Sequence, residues 1–241
     1  MKPLFSTSSA LDWLYPPLCV LCETSLRKGQ NICHPCREKL PRLPASSCRK
    51  CGQTFEANLK APEQCPNCIS LKPQFDFATA ALKSHQNVLH LIHQFKLLHR
   101  PEIGEDLAQT ILPSFQQEAR LTQLTAPLLI PVPLHHQRHR ERGFNQAELL
   151  ATPLARELGL DCLKALKRIR STPRQATLSR RERLKNLNKA FRLTGNSQKL
   201  ANRSLILIDD VFTTGSTVHE CARTLRAAKP ASIAVFTVLR A

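Results

Sequence analysis

The sequence predicts an α/β fold, a mostly parallel sheet flanked by helices, preceded by a small cysteine-rich module. The chain has 241 residues, enough for one sizeable α/β domain and an accessory unit. Eight of its ten cysteines fall between residues 19 and 68, which marks the module. Beyond them, short apolar runs alternate with helical patterns. We therefore expect the module over residues 1–70 and the α/β domain over residues 71–241.

The eight cysteines form four C-x2-C pairs, and each pair can present two thiolates to one tetrahedral metal ion. Pairing in chain order gives two structural four-cysteine sites, although an interleaved pairing is open at this point. We favour zinc over a redox set, an iron site or disulfides, because a module with few large apolar side chains needs cross-links. The predicted zinc ligands are Cys19, Cys22, Cys33, Cys36, Cys48, Cys51, Cys65 and Cys68.

The first half of the α/β domain contains one strand and two helices. An apolar segment at 75–82 predicts a short strand, and residues 87–98 show apolar side chains at helical spacing. A second helix is predicted at 102–119, where Pro113 should end or interrupt it.

The second half begins with a compact apolar run at 127–132, which predicts a buried strand. The strand opens into a basic stretch at 134–142. The remaining elements are a helix at 145–158, a strand at 162–166, an arginine-rich loop to about 179, a strand at 205–208, a helix at 217–227 and a strand at 233–238.

The charge of the chain is strongly positive and unevenly distributed. There are 35 lysines and arginines against 18 acidic residues, a net charge of +17. Residues 135–203 contain 17 basic and 5 acidic side chains, a net +12. Such a field attracts phosphate groups, on either a small metabolite or a nucleic acid.

The sequence does not indicate membrane insertion or secretion. No run approaches the roughly 20 apolar residues that span a bilayer. Residues 1–15 lack the continuous apolar region of a secretory signal. We therefore expect a cytoplasmic protein.

The segment 205–217 has the chemistry of a phosphate and ribose site. Four apolar residues lead into Asp209 and Asp210, followed by a Thr-Thr-Gly-Ser-Thr turn that begins a helix. Amides and hydroxyls at a helix start bind an anion, and Gly215 allows close approach of the backbone. The two carboxylates suit ribose hydroxyls or the water shell of Mg2+. The alternative is an ordinary helix cap after a strand.

The whole string resembles the phosphoribosyl pyrophosphate (PRPP) signature of type I phosphoribosyltransferases. The resemblance implies a type I phosphoribosyltransferase-like sheet, with Asp209 and Asp210 as catalytic residues that hold the ribose hydroxyls. It also implies that the turn binds the 5-phosphate. The PRPP-binding residues of this segment are Val211, Thr213, Thr214, Gly215, Ser216 and Thr217.

Further segments resemble the ComF family, whose members combine a double zinc ribbon with a phosphoribosyltransferase domain. They are the Pro-Val-Pro-Leu-His run at 131–135, the Arg-Gly-Phe-Asn-Gln run at 142–146 and an Arg-x-Arg-x-Thr-x3-Ala pattern at 168–176. The likeness covers nearly the whole chain and implies a pyrophosphate loop at 133–135 and a closing loop at 168–180. The implied PRPP-binding residues here are Pro133, Leu134, His135, Arg138, Arg142 and Arg170.

Two functions follow from the resemblance. The first is transfer of the phosphoribosyl group of PRPP, with Mg2+, to an unidentified acceptor in a protein linked to natural competence and DNA uptake. The second is a non-enzymatic role in the competence machinery, binding single-stranded DNA or serving as an adaptor for a helicase or another protein, with a PRPP-sensing or vestigial site. The scarcity of aromatics, with one Trp and one Tyr, weakens the case for strand binding.

Overall fold

The computed structural model describes residues 16–55, 63–97, 100–171, 186–195 and 197–241. The helices are α1 (His34–Glu38), α2 (Pro66–Leu71), α3 (Gln86–Leu97), α4 (Ile103–Gln117), α5 (Ala119–Thr122), α6 (His136–Arg142), α7 (Gln146–Leu158) and α8 (Ser216–Leu225). The strands are β1 (Phe77–Lys83), β2 (Leu128–Pro131), β3 (Asp161–Cys162), β4 (Leu166–Arg168), β5 (Phe191–Leu193), β6 (Ser204–Phe212) and β7 (Ser232–Arg240). Short 3-10 helices cover Ser197–Leu200 and Arg226–Ala228.

The main sheet is parallel and has five strands in the order β1-β7-β6-β2-β3. In its centre β6 and β7 are buried along most of their length, because helices cover both faces. Successive residues of β6 point to opposite faces. Ile206 joins a core formed with α3, α4 and α7, whereas Leu207 joins a core formed with α8. The predicted α/β fold class is confirmed.

Several elements differ from the sequence prediction. Helix α4 continues through Pro113, which lies on its exposed side, while Leu107, Ile111 and Phe115 bury the opposite face. The strand predicted at 162–166 is two strands. Of these, β3 extends the main sheet and β4 pairs antiparallel with β5.

The basic stretch after β2 contains a helix, α6, that the sequence analysis missed. No residue of this helix is buried, so it shows no apolar periodicity to reveal it. Gly143 ends it with φ 78°, a left-handed conformation that glycine adopts without strain.

The cysteine-rich module packs along the edge of the sheet formed by β1. The backbone of segment 41–43 pairs with β1 through Leu43 N to Ala81 O and Lys83 N to Pro41 O, both 3.1 Å. Covering this edge removes unpaired backbone groups from solvent. Ile32 from the module lies in the same core as α3 and α4. The division at residue 70 stays a prediction.

Candidate functional site

A cleft of about 250 Å³ lies at the carboxyl ends of β2 and β6. These strands are parallel neighbours, and Pro131 stands beside Ile208 in their register. Loops that leave the carboxyl ends of adjacent parallel strands meet at one edge of the sheet, where ligands bind in such folds. The predicted site residues that line the cleft are Pro133, Leu134, Arg138, Arg142, Asp209, Asp210, Val211, Thr213 and Thr217.

The acidic pair lies at the end of β6 and is chemically asymmetric. Asp210 is buried, and its Oδ2 lies 2.8 Å from Lys96 Nζ. Burial, together with the neighbouring Asp210 charge, raises the pKa of Asp209 to about 7, against the opposing effect of Lys96. Near neutral pH the pair therefore carries less than two full negative charges.

The turn after β6 places groups that can bind an anion at the start of α8. Gly215 precedes the helix with φ 76° and offers no side-chain cap, while Ser216 N donates to Thr214 Oγ1 at 3.4 Å. A Cβ at Gly215 would come within 2.6 Å of the Phe212 ring, so the position requires glycine. Thr214 Oγ1 and Ser216 Oγ are 2.9 Å apart. These amides and hydroxyls form a cradle for a phosphate.

The opposite wall of the cleft is basic and comes from α6. Arg138 and Arg142 lie one turn apart on this helix, which also explains why both reach the cleft. His135 is buried at the start of the helix and accepts a hydrogen bond from Gln137 N through Nδ1 at 3.4 Å. Burial, followed by the nearby charges of His136 and Arg168, lowers the pKa of His135. His135 therefore supports α6 as a neutral side chain.

The eight module cysteines form two clusters in chain order. They are Cys19, Cys22, Cys33 and Cys36, then Cys48, Cys51, Cys65 and Cys68, and within each the sulfurs lie within 4.8 Å of one another. All are free thiols. The Cys22–Cys33 and Cys51–Cys65 sulfurs are 3.6 Å apart. A tetrahedral ion with Zn–S bonds of about 2.3 Å needs sulfurs about 3.8 Å apart, so the donors fit zinc.

The two cysteine clusters repeat one local structure. Cys33 N lies 3.4 Å from Cys19 Sγ, and Cys65 N lies 3.2 Å from Cys48 Sγ. Amide donors of this kind stabilise thiolate ligands. The clusters differ in exposure, because all four cysteines of the second are buried whereas Cys22 of the first is exposed.

Comparison with known proteins agrees with both parts of this structure. Residues 10–69 match the family described as "Double zinc ribbon domain", and residues 145–241 match "Phosphoribosyl transferase domain". Competence protein F of Haemophilus influenzae is 32% identical over 226 residues, which cover 92% of this chain and 96% of the relative. The chain belongs to the ComF family. The two cysteine clusters are therefore its zinc-ribbon sites.

Other members of the ComF family match over similar lengths. DNA utilization protein YhgH of Escherichia coli K12 is 35% identical, covering 93% of this chain and 97% of its own. Competence protein ComFC of Bacillus subtilis is 27% identical, covering 92% and 95%. Among solved structures, a B. subtilis glutamine PRPP amidotransferase overlaps 58% of this chain and 26% of its own, with 18% identity and a TM-score of 0.36. That overlap is too loose to support an argument about function.

The structure adds cleft residues that the sequence analysis of this ComF-family chain did not assign to the site. They are Lys96, Val132, Asn145, Gln146, Ala147 and Arg168. Asn145 caps α7 and donates to Val132 O at 3.1 Å, which ties α7 to the end of β2. Gln146 is buried, and its Nε2 has no hydrogen-bond partner among the described residues. All of them except Lys96 lie within or beside the segments that resemble the family, which is the signal that could have found them.

Five predicted PRPP-binding residues do not line the cleft, namely His135, Thr214, Gly215, Ser216 and Arg170. Arg170 is exposed and donates from Nη1 to Asn188 O at 2.7 Å. Its role toward PRPP stays a prediction. The predicted closing loop at 168–180 lies outside the described residues from residue 172 onward. In the part of the chain that the structure describes, no helix has the length and apolar character needed to cross a membrane.

Proposed function

We propose that the cleft binds PRPP and that the protein transfers its phosphoribosyl group to an acceptor. The observation that carries the proposal is the convergence of three chemically different walls on one cleft. They are the acidic pair at the end of β6, the turn that begins α8 and the basic face of α6. PRPP carries the three matching groups: ribose hydroxyls, a 5-phosphate and a diphosphate.

Each part of PRPP has a matching set of residues. The turn 213–217 takes the 5-phosphate, because amides and hydroxyls at the start of a helix bind anions. Asp209 and Asp210 accept hydrogen bonds from the ribose hydroxyls. Arg138 and Arg142 take the diphosphate, because guanidinium groups bind phosphate oxygens bidentately. The loop 133–135, which leads from β2 to α6, also contacts the diphosphate.

Mg2+ is part of this proposal. Two carboxylates and nearby hydroxyls are the hard oxygen donors that Mg2+ prefers, and Asp209, Asp210 and the waters between them and PRPP would hold it. When bound, it would neutralise charge on the diphosphate.

The chemical step requires no nucleophile from the protein. The bond between ribose C1 and the diphosphate oxygen breaks, and a new bond forms between C1 and the acceptor. The carboxylates stabilise positive charge that develops on the ribose, while Arg138 and Arg142 stabilise the departing diphosphate. Arg168, which also lines the cleft, adds to this positive field.

The names of the relatives suggest a biological setting. They are called competence and DNA utilization proteins. We infer that this chain also acts in DNA uptake or the use of the DNA taken up. A second candidate function within this setting is non-enzymatic binding of single-stranded DNA. It is favoured by Arg140, which is exposed on α6 and does not line the cleft.

Calorimetric titration of PRPP with Mg2+ into zinc-replete protein tests the proposal. Wild-type protein should bind saturably, and the Asp209→Asn/Asp210→Asn variant should not. Asp161→Asn is the matched control, because Asp161 is an exposed carboxylate that pairs with Arg203 at 3.5 Å, outside the cleft. Absence of binding by folded wild type at millimolar PRPP would overturn the proposal.

The same proteins distinguish the second candidate. Binding of single-stranded DNA through exposed arginines should weaken with added salt and with Arg140→Gln. It should survive in the Asp209→Asn/Asp210→Asn variant. PRPP binding should instead survive Arg140→Gln and be lost in the Asp209→Asn/Asp210→Asn variant. A protein that binds single-stranded DNA but never PRPP would leave the DNA function as the better account.

A further inference from the structure

Arg240 connects the second zinc ribbon to the turn that follows β6. It is the last residue of β7 and is 7% exposed. On one side its Nε donates to Cys51 O at 3.1 Å, and its Nη2 donates to Gln53 Oε1 at 2.6 Å. On the other side its Nη1 donates to Phe212 O at 3.0 Å and Thr213 O at 2.9 Å. One guanidinium thus holds two distant segments together.

The position of Arg240 follows from the sheet. Strands β6 and β7 are parallel, and their register places Arg240 directly beside Phe212. Both strands end at the edge of the sheet where the phosphate turn begins. The guanidinium also lies over the Phe212 ring, 4.8 Å from its centre, which is a favourable place for a buried cation.

Phe212 links Arg240 to the turn at residues 213–217. Its ring lies so close to Gly215 that a Cβ there would clash at 2.6 Å. The ring also packs edge-on against Phe75, with centres 6.0 Å apart. Phe75 follows α2, the helix that carries Cys68, and both aromatic rings share a core cluster with all four cysteines of the second site. The turn therefore rests on side chains that the second ribbon holds in place.

The first ribbon is attached elsewhere. Arg37 pairs with the buried carboxylate of Asp106 on α4 at 2.7 Å, and Asn31 Nδ2 donates to the same carboxylate at 3.1 Å. These polar contacts lead to the first turn of α4 and not to the turn after β6. The two ribbons thus have similar folds but different neighbours.

We propose that Arg240 is a positioning residue for the phosphate turn, and that the second zinc ribbon supports the turn through it. The contribution is preorganisation. Arg240 satisfies the carbonyl groups of Phe212 and Thr213, which fixes the backbone from which the anion-binding amides extend. Without Arg240, the ligand would have to order the turn when it binds, which would weaken its affinity. Only the affinity test of this proposal rests on the proposed binding of PRPP in this cleft.

The first test measures the turn without any ligand. Arg240→Gln should speed hydrogen exchange of the amides at 213–217, while zinc content stays at two ions per chain, one for each cysteine cluster. Arg37→Gln is the matched control, because it breaks a comparable contact between the first ribbon and the domain. It should leave exchange at 213–217 unchanged. Equal exchange in wild type and Arg240→Gln would overturn the proposal.

The second test measures affinity. Arg240→Gln should weaken PRPP binding about ten-fold, a typical size for coupling between separate parts of a protein, and Arg37→Gln should not. Arg240→Lys keeps the charge but not the fork of donors, so it should rescue only part of the loss. Unaltered affinity in Arg240→Gln would overturn the proposal.

A variant that keeps Arg240 in place tests the proposal even if Arg240→Gln fails to fold. Gln53→Ala removes one partner of Arg240 and leaves the guanidinium in place, so it should raise exchange at 213–217 to a smaller extent. If wild type does not bind PRPP, the proposed function fails, but the exchange comparison still decides the role of Arg240. Unchanged exchange in Arg240→Gln with intact PRPP binding overturns this inference alone.

Discussion

Lys96 Nζ lies 2.8 Å from Asp210 Oδ2, and so α3 supplies the acidic pair at the end of β6 with a cation. The side chain of Asp210 is 8% exposed, so the contact is shielded from water. Burial, followed by the neighbouring charge of Asp210, raises the pKa of Asp209, whereas the charge of Lys96 opposes this shift. The two neighbouring carboxylates are therefore unequal before any ligand binds.

The raised pKa of Asp209 predicts a pH-dependent stability. Its value is about 7 in the folded protein, against an ordinary value of 3.8. As pH rises, the unfolded chain ionises this carboxyl first, so the group destabilises the fold increasingly until pH passes the folded pKa. Asp209→Asn should remove this cost. Its advantage over wild type in free energy of unfolding should grow by about 2 kcal/mol between about pH 5.5 and 8.

Denaturant unfolding at the two pH values, without added Mg2+, measures this difference. Asp161→Asn serves as control, because Asp161 is exposed and makes its ion pair outside the cleft. The control should give the same small change at both pH values. An Asp209→Asn advantage that is constant or falls with pH would contradict the prediction.

Gly215 should be intolerant of even one added methyl group. Gly215→Ala introduces a Cβ within 2.6 Å of the Phe212 ring and also places alanine at φ 76°. Gly159→Ala is a matched control, with φ 64° and nothing within 4 Å of the added Cβ. The control should lose about 1–2 kcal/mol of stability from the left-handed backbone alone.

Gly215→Ala should lose more stability than the control and should weaken PRPP binding by at least about ten-fold, since the ring or the turn must move. Thermal unfolding and calorimetric titration measure the two effects. Equal losses of stability in the two variants, with PRPP affinity preserved, would show that the contact with Phe212 does not shape the turn.

The parts of the site that the sequence predicted are those with local physical content. Four C-x2-C pairs predict two metal sites because the spacing alone brings two thiolates together. Asp209 to Thr217 is similar, because a strand, two acids and a helix start are contiguous in the chain. Helix α6 was missed because its surface-exposed residues give no apolar pattern.

Lys96 and Arg240 illustrate what local patterns cannot supply. Lys96 lies 114 positions before Asp210 and reaches it only because α3 packs against the sheet. Arg240 looks like the charged end of a final strand, and its role depends on the register between β6 and β7 and on the ribbon beside them. Long-range packing of this kind has no signature in residue type or spacing.

Substitution of Gln146 should affect protein stability and PRPP affinity differently. Its Nε2 is buried at the cleft without a hydrogen-bond partner among the described residues, which is costly unless a ligand uses the donor. Gln146→Met is similar in shape and removes the unpaired donor. We expect the variant to be at least as stable as wild type and to bind PRPP about ten-fold more weakly, as for loss of one hydrogen bond to a charged group.

Gln116→Met on the exposed side of α4 is the control and should change neither quantity. Thermal unfolding and PRPP titration of the three proteins are sufficient. A Gln146→Met variant that is destabilised while its PRPP affinity is unchanged would show that the amide has a structural partner and no role in the cleft.

The two zinc sites should release their ions at different rates. All four cysteines of the second site are buried, whereas Cys22 is exposed and Cys33 and Cys36 are half-buried. A chelator can approach the first site directly, but the second site must first open through local unfolding. Zinc release into excess chelator, followed with a chromogenic dye, should show a fast and a slow phase of equal amplitude.

Cys22→Ser should remove or accelerate the fast phase and leave the slow phase unaltered, because the sites share no ligand. Hydrogen exchange of the amides at 213–217, followed during chelation, should remain slow through the fast phase and rise only with the slow one. This order follows from the contacts of Arg240 and Phe212, which among the described residues lead to the second ribbon and not to the first. A single release phase, or loss of protection at 213–217 with the first ion, would show that the two ribbons support the turn together.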